Sequence, residues 1–418
     1  MRVYRFAAVR PERAAAQAIA AVPYDVVTAE EVRAITEKNP LSFLRVSRSD
    51  AELPDLSPHD DRVYSRAAEN FHALIKNGLM AKDDLPSLYV YRVEQGGDIF
   101  LGLACCLDVD DYRKRRIRRH EQTRYDKEED RTRHIEATRT HNGPVVLLYR
   151  DGMGISSYIA SLLPAGKTPD AEVRAENGAI HRIFRITDPV VLQELEDRFS
   201  RIPYLYIADG HHRAKSAVNV ADRQKGTNGT GEINRFLGVL FAADRVRIHG
   251  YSRLLADIGG YTTESFLSAL RGIFTVEPYG RADGDGFQIS PRTRSSTRCH
   301  IIHVYLDGKW YECTRPVDPG APPLEALDVA ILQNHVLFGL LGITDPRKDA
   351  RLQYLGGARP IRDLTRLVDA GEFRLAIAMQ PVQVDTVLSI ADADGVMPPK
   401  STWFEPKLFS GLLVHTFE

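Results

Sequence analysis

Five consecutive residues in the middle of the chain combine groups that bind phosphate. Asp209 and Gly210 follow a short apolar run typical of a buried strand, and His211, His212 and Arg213 then open a helix. Free backbone N–H groups at a helix start, with a guanidinium and two imidazoles beside them, suit an anion, above all a phosphate. The Asp209 carboxylate could hold a magnesium ion or orient a histidine. The alternative is a capped turn with exposed histidines; the strand–turn–helix setting favours the phosphate site.

A second cluster places one carboxylate among many cations. It contains His120, Glu121 and Thr123 and continues through Arg131. A carboxylate in such surroundings stays ionised and could accept a proton from a substrate hydroxyl. The alternative is a solvated helix with charge pairs at i,i+4. Lys127 and Arg131 carry like charges at that spacing, which weakens this alternative without removing it.

A third cluster lies in a proline-stiffened segment near the C-terminus. It holds Lys400, Ser401, Thr402 and Lys407 among aromatic residues. Such a segment could close over a polar ligand, with a lysine facing a phosphate. The alternative, favoured by the spacing alone, is a tail that packs its aromatic side chains on the core.

Composition limits the classes of protein that these clusters can belong to. The chain has 418 residues, 43% of them hydrophobic, and its 55 basic and 56 acidic residues leave a formal net charge of −1. A balanced charge argues against a protein whose overall field collects nucleic acid or coats an anionic membrane. Segment 111–140 is a local exception, with eleven basic residues against seven acidic ones.

The remaining sequence-wide signals point to a cytoplasmic protein. No apolar run reaches the roughly 18 residues that span a bilayer, and arginines interrupt the N-terminal alanine-rich stretch. The four cysteines lack the paired spacing of a zinc or redox site. Gly166, Lys167 and Thr168 end like a phosphate-binding P-loop, but Ser161 occupies the position of its first glycine and Pro164 intervenes. We therefore exclude a P-loop.

The elements that must position these clusters follow from local patterns. Thr28 and Glu31 form a predicted capping box for a helix that ends near residue 39. Apolar spacing predicts further helices at 60–77 and 324–341. Alternating patterns predict strands at 88–93, 99–109, 144–149, 181–186, 203–208, 236–242, 301–306, 310–313 and 373–379. Segment 222–234 is predicted to be a flexible loop and 280–298 a polar linker. Because helices and strands do not alternate regularly, we expect an α+β protein.

Four motifs, in this order, resemble one bacterial family, the domain of unknown function 1015. They are Val-Pro-Tyr-Asp-Val at 22–26, His-Glu-x-Thr at 120–123, Tyr-Ile-Ala-Asp-Gly-His-His-Arg at 206–213, and Met-Pro-Pro-Lys-Ser-Thr-Trp-Phe-x-Pro-Lys at 397–407. The resemblance covers nearly the whole chain. It also adds Tyr24 and Asp25 to the candidate residues around a substrate.

The middle of the chain resembles, more distantly, the superfamily of free serine kinases, ParB partition proteins and sulfiredoxin. These proteins bind nucleotide phosphates with a Gly-x-x-Arg turn at a helix start, which here matches Gly210–Arg213. The catalytic glutamate of the serine kinases matches Glu121. The cysteine of sulfiredoxin falls at His211, so sulfinic-acid reduction is not expected. The two adjacent arginines of ParB correspond here to His212 and Arg213. This chain therefore departs from the way in which ParB clamps its nucleotide.

This resemblance implies a ParB/sulfiredoxin-like mixed core at 111–245 that carries the turn. An N-terminal α/β part at 1–110 and a C-terminal α/β part at 246–418, which holds the Lys-Ser-Thr segment, extend the core. It further implies phosphoryl transfer between an adenine nucleotide, ATP or ADP, and a small hydroxyl metabolite, with free serine or phosphoserine the leading substrate.

The implied site divides into three groups of residues. Glu121 is the base on the hydroxyl, with His120 and Asp209 in the catalytic set and Asp209 also supporting Mg2+. The phosphate and nucleotide are held by Gly210, His211, His212, Arg213, Thr123 and Arg131. Closure and substrate contact fall to Lys400, Ser401, Thr402, Lys407, Tyr24 and Asp25.

Three alternatives remain open at this stage. The same site could hydrolyse a phosphomonoester such as phosphoserine, with water replacing the nucleotide. The chain could instead be a nucleotide-responsive nucleic-acid-binding module that uses segment 111–140, although nucleic acid is not the expected partner. It could also be an interaction protein with an inactive site. No membrane association is expected.

Overall fold

A computed structural model describes residues 1–224, 231–279, 299–356 and 361–417. The chain forms two compact units: residues 1–246 with 406–418, and residues 247–405. Both units mix helices with β-sheets, which confirms the predicted α+β class. The predicted linker 280–298 lies outside the described residues, as do residues 225–230 of the predicted loop. In the described part of the chain, no helix has the length and apolar character that crossing a membrane requires.

The elements are numbered in chain order. The α-helices are α1 (Ala16–Ile19), α2 (Ala29–Lys38), α3 (Leu44–Ser47), α4 (Asp61–Lys76), α5 (Val109–Arg113), α6 (Tyr125–Thr138), α7 (Ile155–Ser161), α8 (Pro189–Ser200), α9 (His211–Arg223), α10 (Thr263–Arg271), α11 (Asp328–Ile331), α12 (Arg362–Asp369) and α13 (Val384–Asp392). The strands are β1 (Val9–Pro11), β2 (Met80–Lys82), β3 (Leu88–Gln95), β4 (Asp98–Asp108), β5 (Ile117–Arg118), β6 (Thr140–His141), β7 (Val145–Tyr149), β8 (Ala171–Arg174), β9 (Ile180–Ile186), β10 (Leu205–Asp209), β11 (Arg235–Ala242), β12 (Arg247–His249), β13 (Ser252–Leu255), β14 (Thr275–Tyr279), β15 (Cys299–Leu306), β16 (Lys309–Pro316), β17 (Leu352–Leu355), β18 (Leu375–Met379), β19 (Trp403–Glu405) and β20 (His415–Thr416).

An eight-stranded mixed sheet organises the first unit. Its strand order is β5-β10-β7-β11-β4-β3-β9-β8. β10 pairs in parallel with β5 and antiparallel with β7, and β7 pairs in parallel with β11. Buried apolar side chains of β7 and β10, such as Leu147 and Leu205, share one core with Ala214 and Ala217 of α9. This packing fixes the start of α9 against the end of β10.

The sheet draws strands from both sides of residue 110. β3 and β4 precede that residue, and β7, β10 and β11 follow it. The last residues of the chain also return to this unit, where β20 pairs with β6. The predicted division into three parts at residues 110 and 245 stays a prediction.

The second unit contains a six-stranded antiparallel sheet. Its order is β14-β16-β15-β18-β13-β17, and the short strands β12 and β19 pair with each other. The predicted helix over 324–341 is shorter in the structure. Residues Pro322–Ala326 form turns, α11 begins at Asp328, and a π-helical stretch, Leu332–Phe338, completes the segment. Two adjacent prolines, which cannot donate a backbone hydrogen bond, precede the delayed start.

Two predicted helices match the structure because their caps are local. The hydroxyl of Thr28 accepts a hydrogen bond from the backbone N–H of Glu31, whose carboxylate accepts one from the N–H of Thr28. The Asp60 carboxylate caps α4 by accepting from the N–H of Arg62. The strands β3 and β4, which pair as a hairpin, also lie where the alternating pattern placed them.

Candidate functional site

Parallel pairing of β5 with β10 brings the first two sequence clusters to one edge of the sheet. Leu205 and Tyr206 lie opposite Ile117 and Arg118, so both strands run toward the same edge. The chain after β5 and the chain after β10 therefore emerge side by side. The segment that holds His120 to Thr123 lies next to the 209–213 turn for this reason.

Asp209 is the centre of the charge arrangement in the turn. One carboxylate oxygen accepts a hydrogen bond from the Lys407 ammonium at 2.5 Å, and the other accepts from the Arg213 guanidinium. Burial alone would raise the pKa of Asp209, but the charges of Lys407 and Arg213 hold that pKa well below its usual range. The carboxylate is therefore ionised, and the group of three carries a net charge of +1.

Glycine is required where the chain turns from β10 into α9. Gly210 has φ +94°, and a Cβ atom there would lie 2.9 Å from Nε and 3.0 Å from Cζ of Arg213. The guanidinium cannot simply move aside, because it also donates to the carbonyl of Pro144. No side chain caps the start of α9, so its first backbone N–H groups face outward from the helix end.

Two histidines at this edge are buried and neutral. His211 is 5% exposed, and burial lowers its pKa to about 3. Its ring packs edge-on against His120, whose pKa is also lowered by burial and by the neighbouring imidazole. The Nε2 atom of His211 is buried without a hydrogen-bond partner among the described residues. A neutral imidazole can exchange a hydrogen bond with a bound anion or water without adding charge.

Glu121 lies beside this pair and remains open to solvent. Its Oε2 atom is 3.8 Å from Nδ1 of His211, and its side chain is 41% exposed. The Nε2 atom of His212 accepts a hydrogen bond from the backbone N–H of Arg124 at 3.1 Å. Burial lowers the pKa of His212 as well, so this ring, too, tends toward the neutral form.

The 24–25 segment and α6 form a second layer behind the turn. The Arg131 guanidinium lies 4.3 Å from the centre of the Tyr24 ring and pairs with Asp130 at 2.8 Å. Burial, and secondarily the charge of Asp25, raise the pKa of Tyr24 to about 12. A small cavity of about 30 Å³ lies among these residues and is lined in part by Tyr24, Arg131, Asn142, Gly143, Arg213 and Ser410. It has room for about one water molecule.

The profile of the family described as "Protein of unknown function (DUF1015)" matches residues 3–330. The chain belongs to the DUF1015 family. This confirms the family resemblance; the motifs at 22–26, 120–123 and 206–213 lie within the matched residues, and the motif at 397–407 lies beyond them. No curated protein matches the DUF1015 chain.

Solved structures similar to this DUF1015 protein share little sequence with it. A conserved hypothetical protein from Pyrococcus furiosus is 14% identical, over 72% of this chain and 90% of that one, with a TM-score of 0.35. A free serine kinase in complex with AMP is 14% identical, over 73% and 88%, with a TM-score of 0.37. SbnI with a C-terminal truncation, from Staphylococcus aureus, is 12% identical, over 75% and 87%, with a TM-score of 0.39. Similarity at this level carries no argument about the chemistry of the DUF1015 protein.

The third sequence cluster divides between the two units of the DUF1015 protein. Lys407 belongs to the first unit, where it pairs with Asp209, whereas Lys400, Ser401 and Thr402 belong to the second. Lys400 has φ +56°, and its ammonium lies 5.1 Å from the centre of the Tyr251 ring. The role of these three residues in closing a site stays a prediction.

Within the second unit, a buried arginine holds the same segment in place. The Arg253 guanidinium donates to the carbonyl of Lys400 at 3.1 Å and to that of Tyr251. The Ser401 hydroxyl donates to the carbonyl of Pro398 at 2.6 Å. The segment is thus fixed by main-chain carbonyls, and Ser401 is buried rather than presented to solvent.

The residues around Asp209 do not fit the predicted magnesium ligand. Both carboxylate oxygens are engaged by cations, and a divalent ion there would meet the positive charges of Arg213 and Lys407. In residues 1–224, 231–279, 299–356 and 361–417, no cluster of three or more metal-ligating side chains exists. Asp209 is therefore a counter-ion for two cations and not a metal ligand in this arrangement.

Sequence reasoning missed the main-chain groups that complete the site. The carbonyl of Pro144 and the N–H of Arg124 each bind a residue of the turn, Arg213 and His212 respectively. Main-chain donors and acceptors leave no signature in residue type. The run Asn-Gly-Pro at 142–144 was the available signal, because a glycine there lets the Arg213 side chain pass within 3.3 Å of the position of a Cβ.

Proposed function

We propose that this protein transfers a phosphoryl group between an adenine nucleotide and a small hydroxyl metabolite, with free serine as the leading acceptor. The observation that carries the proposal is the composition of the 209–213 turn. An uncapped helix start, a buried guanidinium and a lysine ammonium meet there with a net positive charge. Such a site attracts an anion with two or more charges, and an uncapped helix start suits a phosphate in particular.

Glu121 is the base in this proposal. Its carboxylate is half-exposed and within 3.8 Å of the His211 ring, so a substrate hydroxyl bound at the turn could reach it. The hydroxyl oxygen forms a bond to phosphorus, the bond between phosphorus and the bridging nucleotide oxygen breaks, and the hydroxyl proton passes to Glu121. His120 and His211, both neutral, do not compete with this carboxylate for the proton.

The remaining candidate residues would act through position and charge. The N–H groups at the start of α9 hold the transferring phosphate. Arg213 and Lys407, which both bind Asp209, offset the negative charge of that phosphate through their net positive charge. Arg131 and Tyr24 support the turn from the second layer. We propose the half-buried Thr123 as a phosphate contact and the exposed Asp25 as a contact with the substrate amine.

A transfer screen with Glu121→Gln tests this proposal. Purified protein is incubated with ATP, ADP or pyrophosphate and with serine or related small alcohols, and the phosphorylated product is quantified by mass spectrometry. Glu121→Gln should lower kcat by about 10²- to 10⁴-fold because the base is lost. Nucleotide affinity should stay within about threefold, since the N–H groups and cations are unchanged. Glu37→Gln, which neutralises an exposed carboxylate on α2, should match the unaltered protein.

Each other outcome points to a different function. Full activity in Glu121→Gln would show that another group is the base. Release of inorganic phosphate from phosphoserine, without transfer in either direction, would indicate a hydrolase. Binding to nucleic acid that weakens steeply with salt, with no turnover, would favour the nucleic-acid module.

The charges of segment 111–140 disfavour that last alternative. Several of its cations are paired with carboxylates from other elements or stacked on aromatic rings. The pairs are Arg113 with Asp222, Arg116 with Asp111, Arg133 with Asp61, Arg118 with the Tyr204 ring and Arg119 with the Tyr112 ring. The three arginines paired with carboxylates offer little charge to a nucleic-acid backbone, and the two on aromatic rings keep their charge but are held against the protein.

A further inference from the structure

A second group of cations in the first unit surrounds a cavity that the proposed reaction does not use. The cavity has a volume of about 380 Å³. Its lining includes Arg13, Arg92, Lys167, Thr168, Arg182 and Phe184. We call it the basic cavity. Its volume falls in the range of small-molecule sites, and the buried Phe184 gives it an apolar wall.

The sheet register forces two of these cations together. Arg92 of β3 lies directly opposite Arg182 of β9. Like charges at such positions destabilise a sheet, so a negative group is needed between them. Glu94 supplies one, with its carboxylate 2.6 Å from Arg92 and also paired with Arg182. Glu172 adds a second carboxylate, 2.6 Å from Nε of Arg182.

These two carboxylates do not balance the four cations. Arg13 and Lys167 make no ion pair with a carboxylate within the described ranges, and the Lys167 ammonium donates only to the carbonyl of Leu162, at 3.0 Å. Two positive charges of the lining therefore remain uncompensated. Nε of Arg92 is in addition buried without an acceptor among the described residues, which is costly unless something else accepts from it.

One main-chain N–H of the loop that carries Lys167 is already used within the loop itself. Gly166 has φ +83°, and the N–H of Lys167 donates to the carbonyl of Pro164 at 3.1 Å. That N–H is thus used within the turn, unlike the free N–H groups of a P-loop. The exclusion of a P-loop from the sequence is compatible with an anion site here, because guanidinium and ammonium groups can bind oxyanions by themselves.

We propose that the basic cavity binds a small phosphorylated metabolite with at least two negative charges. Its oxyanion would lie between Arg13 and Lys167, with Arg92 and Arg182 in the same lining. The apolar wall would contact the non-ionic part of the ligand. This binding site is independent of the 209–213 turn and of the reaction proposed there.

Pyrophosphate titration of the full chain tests the basic cavity. Binding is followed by isothermal titration calorimetry for the unaltered protein and for the double variant Arg13→Gln/Lys167→Gln. Both side chains are exposed, so the variant should fold normally. We expect the double variant to lose one class of pyrophosphate site or to weaken it at least tenfold. The control Lys38→Gln/Lys76→Gln removes the same charge from exposed helix ends and should bind like the unaltered protein.

Further measurements separate this site from the turn and identify its ligand class. Gly210→Ala, which alters the turn, should leave pyrophosphate binding at the basic cavity unchanged. Citrate and ADP, titrated in parallel, distinguish a general tricarboxylate or nucleotide site from a phosphate site. If Arg13→Gln/Lys167→Gln binds pyrophosphate with the stoichiometry and affinity of the lysine control, the proposal is wrong, whatever activity the turn has.

Discussion

At the scale of single residues, the Asp209 carboxylate is the group on which the candidate site depends. It forms one ion pair with Arg213 of the adjacent helix and another with Lys407 of the C-terminal segment. A charge that is largely removed from water is tolerated only when an opposite charge compensates it. Removing Asp209 therefore affects two cations at once. Neutralising an exposed pair has a much smaller effect.

Asp209→Asn should lower the free energy of unfolding by about 3 kcal/mol, because it leaves Arg213 and Lys407 without a counter-ion. Asp126→Asn is the matched control, since its pair with Arg124 is about half-exposed on both sides. It should change the free energy by less than about 1 kcal/mol. Urea titration followed by circular dichroism measures both. Equal losses for the two variants would contradict the account of Asp209 as a buried counter-ion.

At the scale of elements, the site depends on a strand that ends one residue before a helix begins. Gly210 is the only residue between β10 and α9, and it adopts a conformation that an L side chain rarely takes. The same residue also gives the Arg213 guanidinium room to reach Asp209. Backbone conformation and side-chain placement are therefore coupled at this position.

Gly210→Ala should destabilise the protein and displace Arg213, whereas Gly97→Ala should only destabilise it. Gly97 in the β3–β4 hairpin has a similar φ of +87°, but a Cβ there would have nothing within 4 Å. Each substitution carries about 1–2 kcal/mol of backbone strain. Gly210→Ala should in addition weaken nucleotide binding about tenfold, as measured by calorimetry. The same nucleotide affinity in both variants would show that the position of Arg213 is irrelevant to binding.

At the scale of the whole molecule, buried histidines link folding to pH. Burial lowers the pKa to about 3 for His134 and His211 and to about 4 for His181. Their reference value is 6.5, so the unfolded chain binds protons on these residues that the folded chain does not. Stability is fully present above pH 6.5 and falls as the pH is lowered toward 4. Burial raises the pKa of Asp111, so this one carboxyl group works against the histidines and stabilises the folded chain as the pH falls.

The free energy of unfolding should therefore decrease between pH 6.5 and pH 4.5, by up to about 1.4 kcal/mol per pH unit for each such histidine. Urea titrations at half-unit steps give the slope. His181→Gln removes one of these groups while keeping a polar partner for the Tyr91 hydroxyl. It should lower the number of protons bound on unfolding by up to one, and the slope falls in proportion. His72→Gln, at an exposed position of α4, should not change it. A stability independent of pH in this window would contradict the burial of these rings.

The sequence by itself determined what depends on neighbours along the chain. The capping box at Thr28, the helix over 60–77, the strands β3 and β4 and the strand–glycine–helix turn at Gly210 are each encoded within a few residues, and the structure places them as predicted. Where local signals were weaker, the outcome differed, as with the helix that begins at Asp328 and continues as a π-helix.

Only the tertiary structure decided which charges meet. Lys407 reaches Asp209 across 198 residues of sequence, and Arg182 faces Arg92 through pairing of β9 with β3. Residue types alone gave Asp209 the chemistry of a metal ligand, and its two cationic neighbours made it a counter-ion. The physical reason is that electrostatic interactions depend on separation in space and on burial, and strand pairing, not residue order, fixes both.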